Sequence, residues 1–176
     1  MTTNNEPVMT AEDALELIKL FEQNQIEVTL DGGWGVDALL EVQTRAHTDL
    51  DIVIAYKDEI RLRELLEARG YRDVPDPDAG ICNFLMGDDQ GHYVDYHTYT
   101  FDPVGHPEYG IEYPPESRNG VGSINGHPVR CLTVVYVVKF HTGYEVHETD
   151  YHDMKALCQR FGLEVPADYA GFEEHQ

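Results

Sequence analysis

The spacing of apolar residues changes several times along the chain, and each change marks an element. Leu15, Ile18 and Phe21 recur at helical spacing behind Thr10, and Ala11-Glu12-Asp13 places acid in the first turn. That pattern predicts an amphipathic helix over 11–24, preceded by a frayed tail of about ten residues. Ile26-Glu27-Val28-Thr29-Leu30 alternates as a strand and ends at Gly32-Gly33; a short helix over Val36 to Leu40 follows. Past a polar loop through Gln43-Thr44-Arg45, Asp49 to Ala55 reads as a buried strand that carries two acids. Lys57 to Arg69 is a helix with Ile60, Leu62, Leu65 and Leu66 as its apolar contacts, stopped by Gly70.

Ile81 to Met86 and His92 to Phe101 are predicted strands paired across Gly87-Asp88-Asp89-Gln90-Gly91. From Asp102 to Pro128 the chain holds five Pro and five Gly in 27 residues, which predicts a long loop region with short strand pieces. Val129 to Leu132 is a short strand, Val134 to Phe140 a buried helix, and Glu148 to Arg160 the last helix before a peripheral tail after Pro166. No repeat or boundary divides the sequence, so residues 1–176 form one domain with C-terminal helices over about 133–161. The order of elements gives an α+β (α/β) class, a mixed sheet flanked by helices.

Charge narrows the partners. Among 176 residues, 33 Asp and Glu face 12 Lys and Arg, a net charge of −21. A surface this negative repels phosphate backbones and anionic lipids, so neither nucleic acid nor membrane is expected as a partner. Cationic small molecules and divalent metals suit it, with an adaptation to a salty cytoplasm as the competing explanation of the acidity. No apolar run approaches the ~18–20 residues that span a bilayer, and the polar N-terminus lacks a secretory layout. Cys82, Cys131 and Cys158 are few and far apart, which fits a reducing cytoplasm.

The chemistry centres on Asp31-Gly32-Gly33 and on Thr48-Asp49-Leu50-Asp51-Ile52. Residues two apart on a strand face the same side, with ~6.6–6.8 Å between their α-carbons. Asp49 and Asp51 therefore point together while Leu50 and Ile52 enter the core. Such a pair repels unless cations intervene, and its spacing suits two hard metal ions about 3.5–4 Å apart, as in nucleotidyl transfer. Carboxylates without Cys select Mg²⁺ or Mn²⁺. Gly32 and Gly33, between strand and helix, expose backbone N–H groups to phosphate oxygens, or form a plain tight turn. Arg45 and His47 add cations beside that turn, or belong to a solvated loop. Tyr93, Asp95 and His97 alternate onto one face of their strand, making Asp95 the candidate for a third carboxylate and proton acceptor, with Asp88, Asp89 and Asp102, at turns, as rivals. His97 then contacts substrate or makes a structural hydrogen bond.

These residues resemble the lincosamide nucleotidyltransferases and, more loosely, the small aminoglycoside nucleotidyltransferases of the DNA-polymerase-β-like superfamily. The match runs through Leu30 to Leu40, Gln43-Thr44-Arg45 and His47 to Ile52, then Val94-Asp95-Tyr96-His97 and Pro128 to Cys131. It ends in Phe140 to Tyr144, Glu148-Thr149-Asp150 and Asp153, so it covers about residues 15–160. The resemblance implies a polymerase-β-like nucleotidyltransferase fold and two Mg²⁺ ions. It also implies transfer of AMP from ATP, or of another nucleoside monophosphate from its triphosphate, to an antibiotic hydroxyl. It puts Asp49, Asp51 and Asp95 at the metal positions, Asp95 also as base, and Gly32-Gly33 at the triphosphate-binding turn, with Arg45 and His47 the candidate cations for the same nucleotide. His97 and Tyr144 become substrate contacts. Glu41 departs from the glycine usual there, and 99–127 matches poorly, which places the choice of acceptor in that stretch.

Other readings stay open. An aminoglycoside is the alternative acceptor, since net charge favours a polycation. A toxin–antitoxin-type regulatory transferase and a passive divalent-ion module are further classes, and a homodimer fits any of them. His147, His152 and Asp153 make a weak zinc pattern without a Cys partner. His141, Tyr144, Asp150 and Asp153 serve either interhelical packing or ligand contact.

Overall fold

The computed structural model describes residues 9–77, 80–104, 106–110 and 113–173. It begins with α1 (Ala11–Gln23), whose first turn is closed by a reciprocal cap: Asp13 N–H donates to Thr10 Oγ1, and Thr10 N–H donates to the Asp13 carboxylate. β1 (Val28–Leu30), α2 (Gly32–Leu40), β2 (Asp49–Ala55) and α3 (Glu59–Glu67) follow. Then come β3 (Arg72–Asp73), β4 (Asn83–Gly87), β5 (Tyr93–Phe101), β6 (Pro107–Gly110), β7 (Gly120–Ile124) and β8 (His127–Cys131). The chain closes with α4 (Val134–Phe140), α5 (Glu148–Phe161) and α6 (Ala170–Glu173). No helix among the described residues is long and apolar enough to cross a membrane.

The strands form one mixed sheet in the order β3-β4-β5-β2-β1-β8-β7, with β6 added to β5. β2 runs parallel to β5, and β1 parallel to β8; the remaining pairs are antiparallel. Alternation along the central strands sorts their side chains onto two faces. Leu50, Ile52 and Ile54 of β2, with Val94 and Tyr96 of β5, pack with Leu15, Ile18 and Phe21 of α1 and Leu62 and Leu66 of α3. Val53 points the other way, into a second core with Val137 of α4 and Tyr151, Met154 and Leu157 of α5. Each such buried side chain contributes about 1.5–3 kcal/mol. Asp49 and Asp51 lie on this second face, where the apolar packing gives way to an opening.

The stretch from 102 to 128 is loop carrying short strands, as expected, and the two glycines of β7 are there for close approach: a β-carbon on Gly122 would stand 2.2 Å from the Ala38 carbonyl oxygen of α2. Two expectations need correction. α4 is not a buried helix; only Val137 is buried, and Val135 is 63% exposed, because seven residues present just one side to α5. The segment after Pro166 is not peripheral, since Tyr169 is fully buried against Tyr151 and Phe172. At the other end, residues 1–8 of the expected frayed tail lie outside the described residues, while Met9 is buried and Thr10 caps α1.

Candidate active site

Where β1 ends, Asp31 becomes the N-cap of α2 and accepts a hydrogen bond from Gly32 N–H at 2.8 Å. Gly32 has φ +54°, and a β-carbon there would lie 2.0 Å from Asp51 Oδ2. A β-carbon on Gly33 would lie 2.4 Å from His47 Nδ1 and 2.6 Å from Arg45 Nη2. The two glycines thus let one backbone corner touch the acidic strand on one side and the basic loop on the other. The N–H groups of the first turn of α2 have no acceptor within the helix, so this corner presents donors and the positive end of the helix dipole.

On the neighbouring strands the carboxylates converge. β2 and β5 pair with Asp51 opposite Asp95, and paired residues of parallel strands point to the same face. Burial raises the Asp51 carboxyl well above its ordinary range, and the charges of Asp49, Asp95 and Asp31 raise it further. Asp49 is raised by burial and by Asp95, with His47 and Arg45 pulling the other way. Asp95 Oδ1 is shielded from solvent and has no hydrogen-bond partner. His97 Nε2 stands 3.3 Å from it, but not in hydrogen-bonding alignment. Among the described residues, no three His, Cys, Asp or Glu side chains close into a finished metal cage. What the face offers is hard oxygen donors, an unpartnered carboxylate oxygen and uncompensated negative charge, a donor set that suits Mg²⁺.

A cavity of about 240 Å³ opens over this face. Asp31, Asp51 and Asp95 form its floor, and His97, Tyr113 and Phe140 stand around it, with His141 at the edge. The buried Tyr113 hydroxyl donates to Asp31 Oδ2 at 3.2 Å and lies 3.2 Å from His97 Nδ1. Its ring meets Phe140 edge-on at 5.2 Å. Burial and the Asp31 charge raise the Tyr113 phenol, so it stays protonated as a donor. A larger hollow of about 380 Å³ lies between α1 and the β1–β8 pair, lined by Ile18, Val28 and Val129. It contains none of the converging aspartates, and size alone does not make it reactive.

The expected site residues separate into groups. Asp49, Asp51 and Asp95 share one face, with Gly32 and Gly33 at its corner and His97 on the cavity wall. Arg45 is 28% exposed beside Gly33, and Asp153 holds it through two hydrogen bonds. His47 is buried behind the corner; its Nε2 lies 2.6 Å from Asp37 Oδ2 and its ring 4.6 Å from that of Trp34. Tyr144 stands outside the cavity lining, 47% exposed, with its phenol pushed up to about 12 by burial and by Asp150. His147, one member of the zinc pattern, caps α5 with Asp150.

Sequence reasoning missed the roles of Asp31, Tyr113 and Phe140. An Asp directly before Gly-Gly is an N-cap signal; for the two aromatics the sequence carries no local sign. Asp37 also went unassigned, though it accepts from Thr44 N–H and Oγ1 as well as facing His47.

Comparison with known proteins adds an independent line. The family model for aminoglycoside-2''-adenylyltransferase matches residues 13–157. A lincosamide resistance protein from Staphylococcus haemolyticus is 27% identical over 162 residues, covering 89% of this chain and 98% of that one. Among solved structures, the lincomycin-bound lincosamide antibiotic adenylyltransferase LnuA superposes with a TM-score of 0.75 at 24% identity, over 85% of this chain and 97% of the other. ANT(2'')-Ia in complex with adenylyl-2''-tobramycin gives 0.71 at 21% identity, over 93% and 97%. At these identities the two structures establish a shared nucleotidyltransferase fold.

Proposed function

Because the chain belongs to the aminoglycoside-2''-adenylyltransferase family, we propose that it moves AMP from ATP to a hydroxyl of a small, amine-bearing, lincosamide-like antibiotic. The observation that carries this reading is the meeting of Asp49, Asp51 and Asp95 on one face beside the glycine corner. Asp49, Asp51 and Asp95 would hold two Mg²⁺ ions, which when bound offset the carboxylate charge and that of the triphosphate.

The protein's own groups account for the rest. With the Gly32 N–H held by Asp31, the Gly33 and Trp34 N–H groups of the first turn of α2 and the Arg45 guanidinium take the phosphate oxygens of ATP. The antibiotic lies in the cavity against Tyr113 and Phe140, its amine toward the acidic floor and its hydroxyl toward Asp95. As that oxygen bonds to the α-phosphorus, the α–β bridging bond breaks, pyrophosphate leaves, and the hydroxyl proton passes to Asp95. Positioning and fixed charge supply most of the acceleration. Such a reaction draws on cytoplasmic ATP, in keeping with the reduced cysteines expected there.

Mass spectrometry tests the proposal: the protein, ATP and MgCl₂ are incubated with lincomycin or with tobramycin. A gain of one AMP on lincomycin is expected. Unchanged masses for both drugs would overturn it. AMP on tobramycin alone would support the second reading, an aminoglycoside acceptor, which the net charge of −21 favours.

A further inference from the structure

Asp153 lies on α5, far from the acidic strand in sequence, yet only 5% of its side chain is exposed. Its two carboxylate oxygens accept from Arg45 Nε at 2.9 Å and from Arg45 Nη2 at 2.8 Å, the side-on, two-point geometry that fixes a guanidinium plane. Arg45 Nη1 also donates to the Ala46 carbonyl at 3.3 Å. Nη1 and Nη2 each keep a further N–H, on the edge beside Gly33.

A guanidinium here has a competing destination. The Asp37 and Asp49 charges also act on Arg45, and Asp51 feels its pull in turn. Without a fixed partner, the cation would be drawn onto those acids and would cancel the field that the reaction needs. Asp153 holds it instead at the corner where the first turn of α2 begins. Two positive features, the helix start and the guanidinium, then stand side by side in a chain of net charge −21, an arrangement that pays only when an anion arrives.

We propose that Asp153 is a positioning residue for nucleotide binding: by clamping Arg45 beside Gly33 it keeps the free edge of the guanidinium facing the triphosphate and links α5 to the nucleotide half of the site. The inference rests on the transferase reading above. It assigns Asp153 neither to packing between helices nor to direct ligand contact.

The test is equilibrium titration of ATP with MgCl₂, without antibiotic, on the full chain and its variants, alongside thermal melting. Asp153→Asn keeps the shape but breaks the two-point pairing; it is expected to weaken ATP binding about tenfold, which corresponds to ~1.4 kcal/mol. Arg45→Ala should weaken it at least as much, and adding Asp153→Asn to Arg45→Ala should change it less than twofold. In turnover assays, the KM for ATP should rise while the KM for the antibiotic and kcat at saturating ATP stay within threefold. Arg45→Lys, which keeps the charge but not the fork, should show the same KM split even if Asp153→Asn fails to fold. Unchanged ATP binding in the folded variants, or equal losses from Asp153→Asn with and without Arg45, would overturn the inference. Absence of ATP binding by the unaltered chain would instead overturn the transferase reading itself.

Discussion

Gly32 and Asp51 occupy what amounts to a single residue's space: a β-carbon on the first would sit 2.0 Å from Oδ2 of the second. Backbone strain adds to the conflict, since Gly32 has φ +54°, a conformation that costs an L residue about 1–2 kcal/mol. Gly32→Ala is therefore expected to lower the melting temperature by several degrees and to reduce AMP transfer at least a hundredfold. A calorimetric melt and the mass assay check both; an active variant of normal stability would contradict the close approach.

Asp51→Asn removes one charge from a crowded, buried set. Catalysis and stability should move in opposite directions: turnover falls at least a thousandfold, while the variant melts higher than the native chain in divalent-free buffer. The reason is that burial, Asp49, Asp95 and Asp31 all disfavour the ionised Asp51. Each unit by which a carboxyl is raised corresponds to ~1.4 kcal/mol held against the folded state when it is charged.

The same repulsion predicts a pH dependence. Asp49 and Asp51 are raised in the folded protein, so between the unfolded value near 3.8 and their folded values the folded state binds the more protons. Their ionisation therefore costs stability as pH rises through that window, and the cost is relieved as pH falls. Asp13 and Asp88, lowered by their hydrogen bonds to Thr10 and His92 despite opposing burial, lose their contribution only as pH drops below about 3.8. Melting from pH 7 to pH 4.5 in EDTA should show stability rising, less steeply in Asp51→Asn. Adding Mg²⁺ at pH 7 should raise the melting temperature of the native chain and release protons, and do so less in the variant.

Tyr113→Phe keeps the ring against Phe140 but deletes the hydroxyl shared by Asp31 and His97. A loss of about 1 kcal/mol in urea unfolding is expected for the missing hydrogen bond. With the wall less rigid, kcat should fall about tenfold. Native kcat in the variant would show that the hydroxyl does not order the cavity.

Local pattern revealed much of the fold. β2 runs over Asp49–Ala55 and α4 over Val134–Phe140, both as the apolar spacing predicts, and alternation alone puts Asp95 and His97 on one face of β5. What stayed hidden depends on partners remote in sequence. Tyr113 and Phe140 reach the cavity only because separate segments fold back over it. Nothing near His47 signals that Asp37 would take it into the interior, and Asp153 looks like any acid on a helix until Arg45 is seen across from it. The glycines of β7 read as loop composition because their reason, contact with Ala38 and Cys131 backbone, is tertiary.

Tyr169 donates its hydroxyl to the His141 carbonyl at 2.6 Å, and Asp168 accepts from Gly143 N–H at 2.9 Å. The turn over Ala167–Tyr169 thus works as a latch on the segment that brings His141 to the cavity lining. Truncation at residue 165 would release that latch and slacken this part of the cavity lining while leaving Asp49, Asp51 and Asp95 in place.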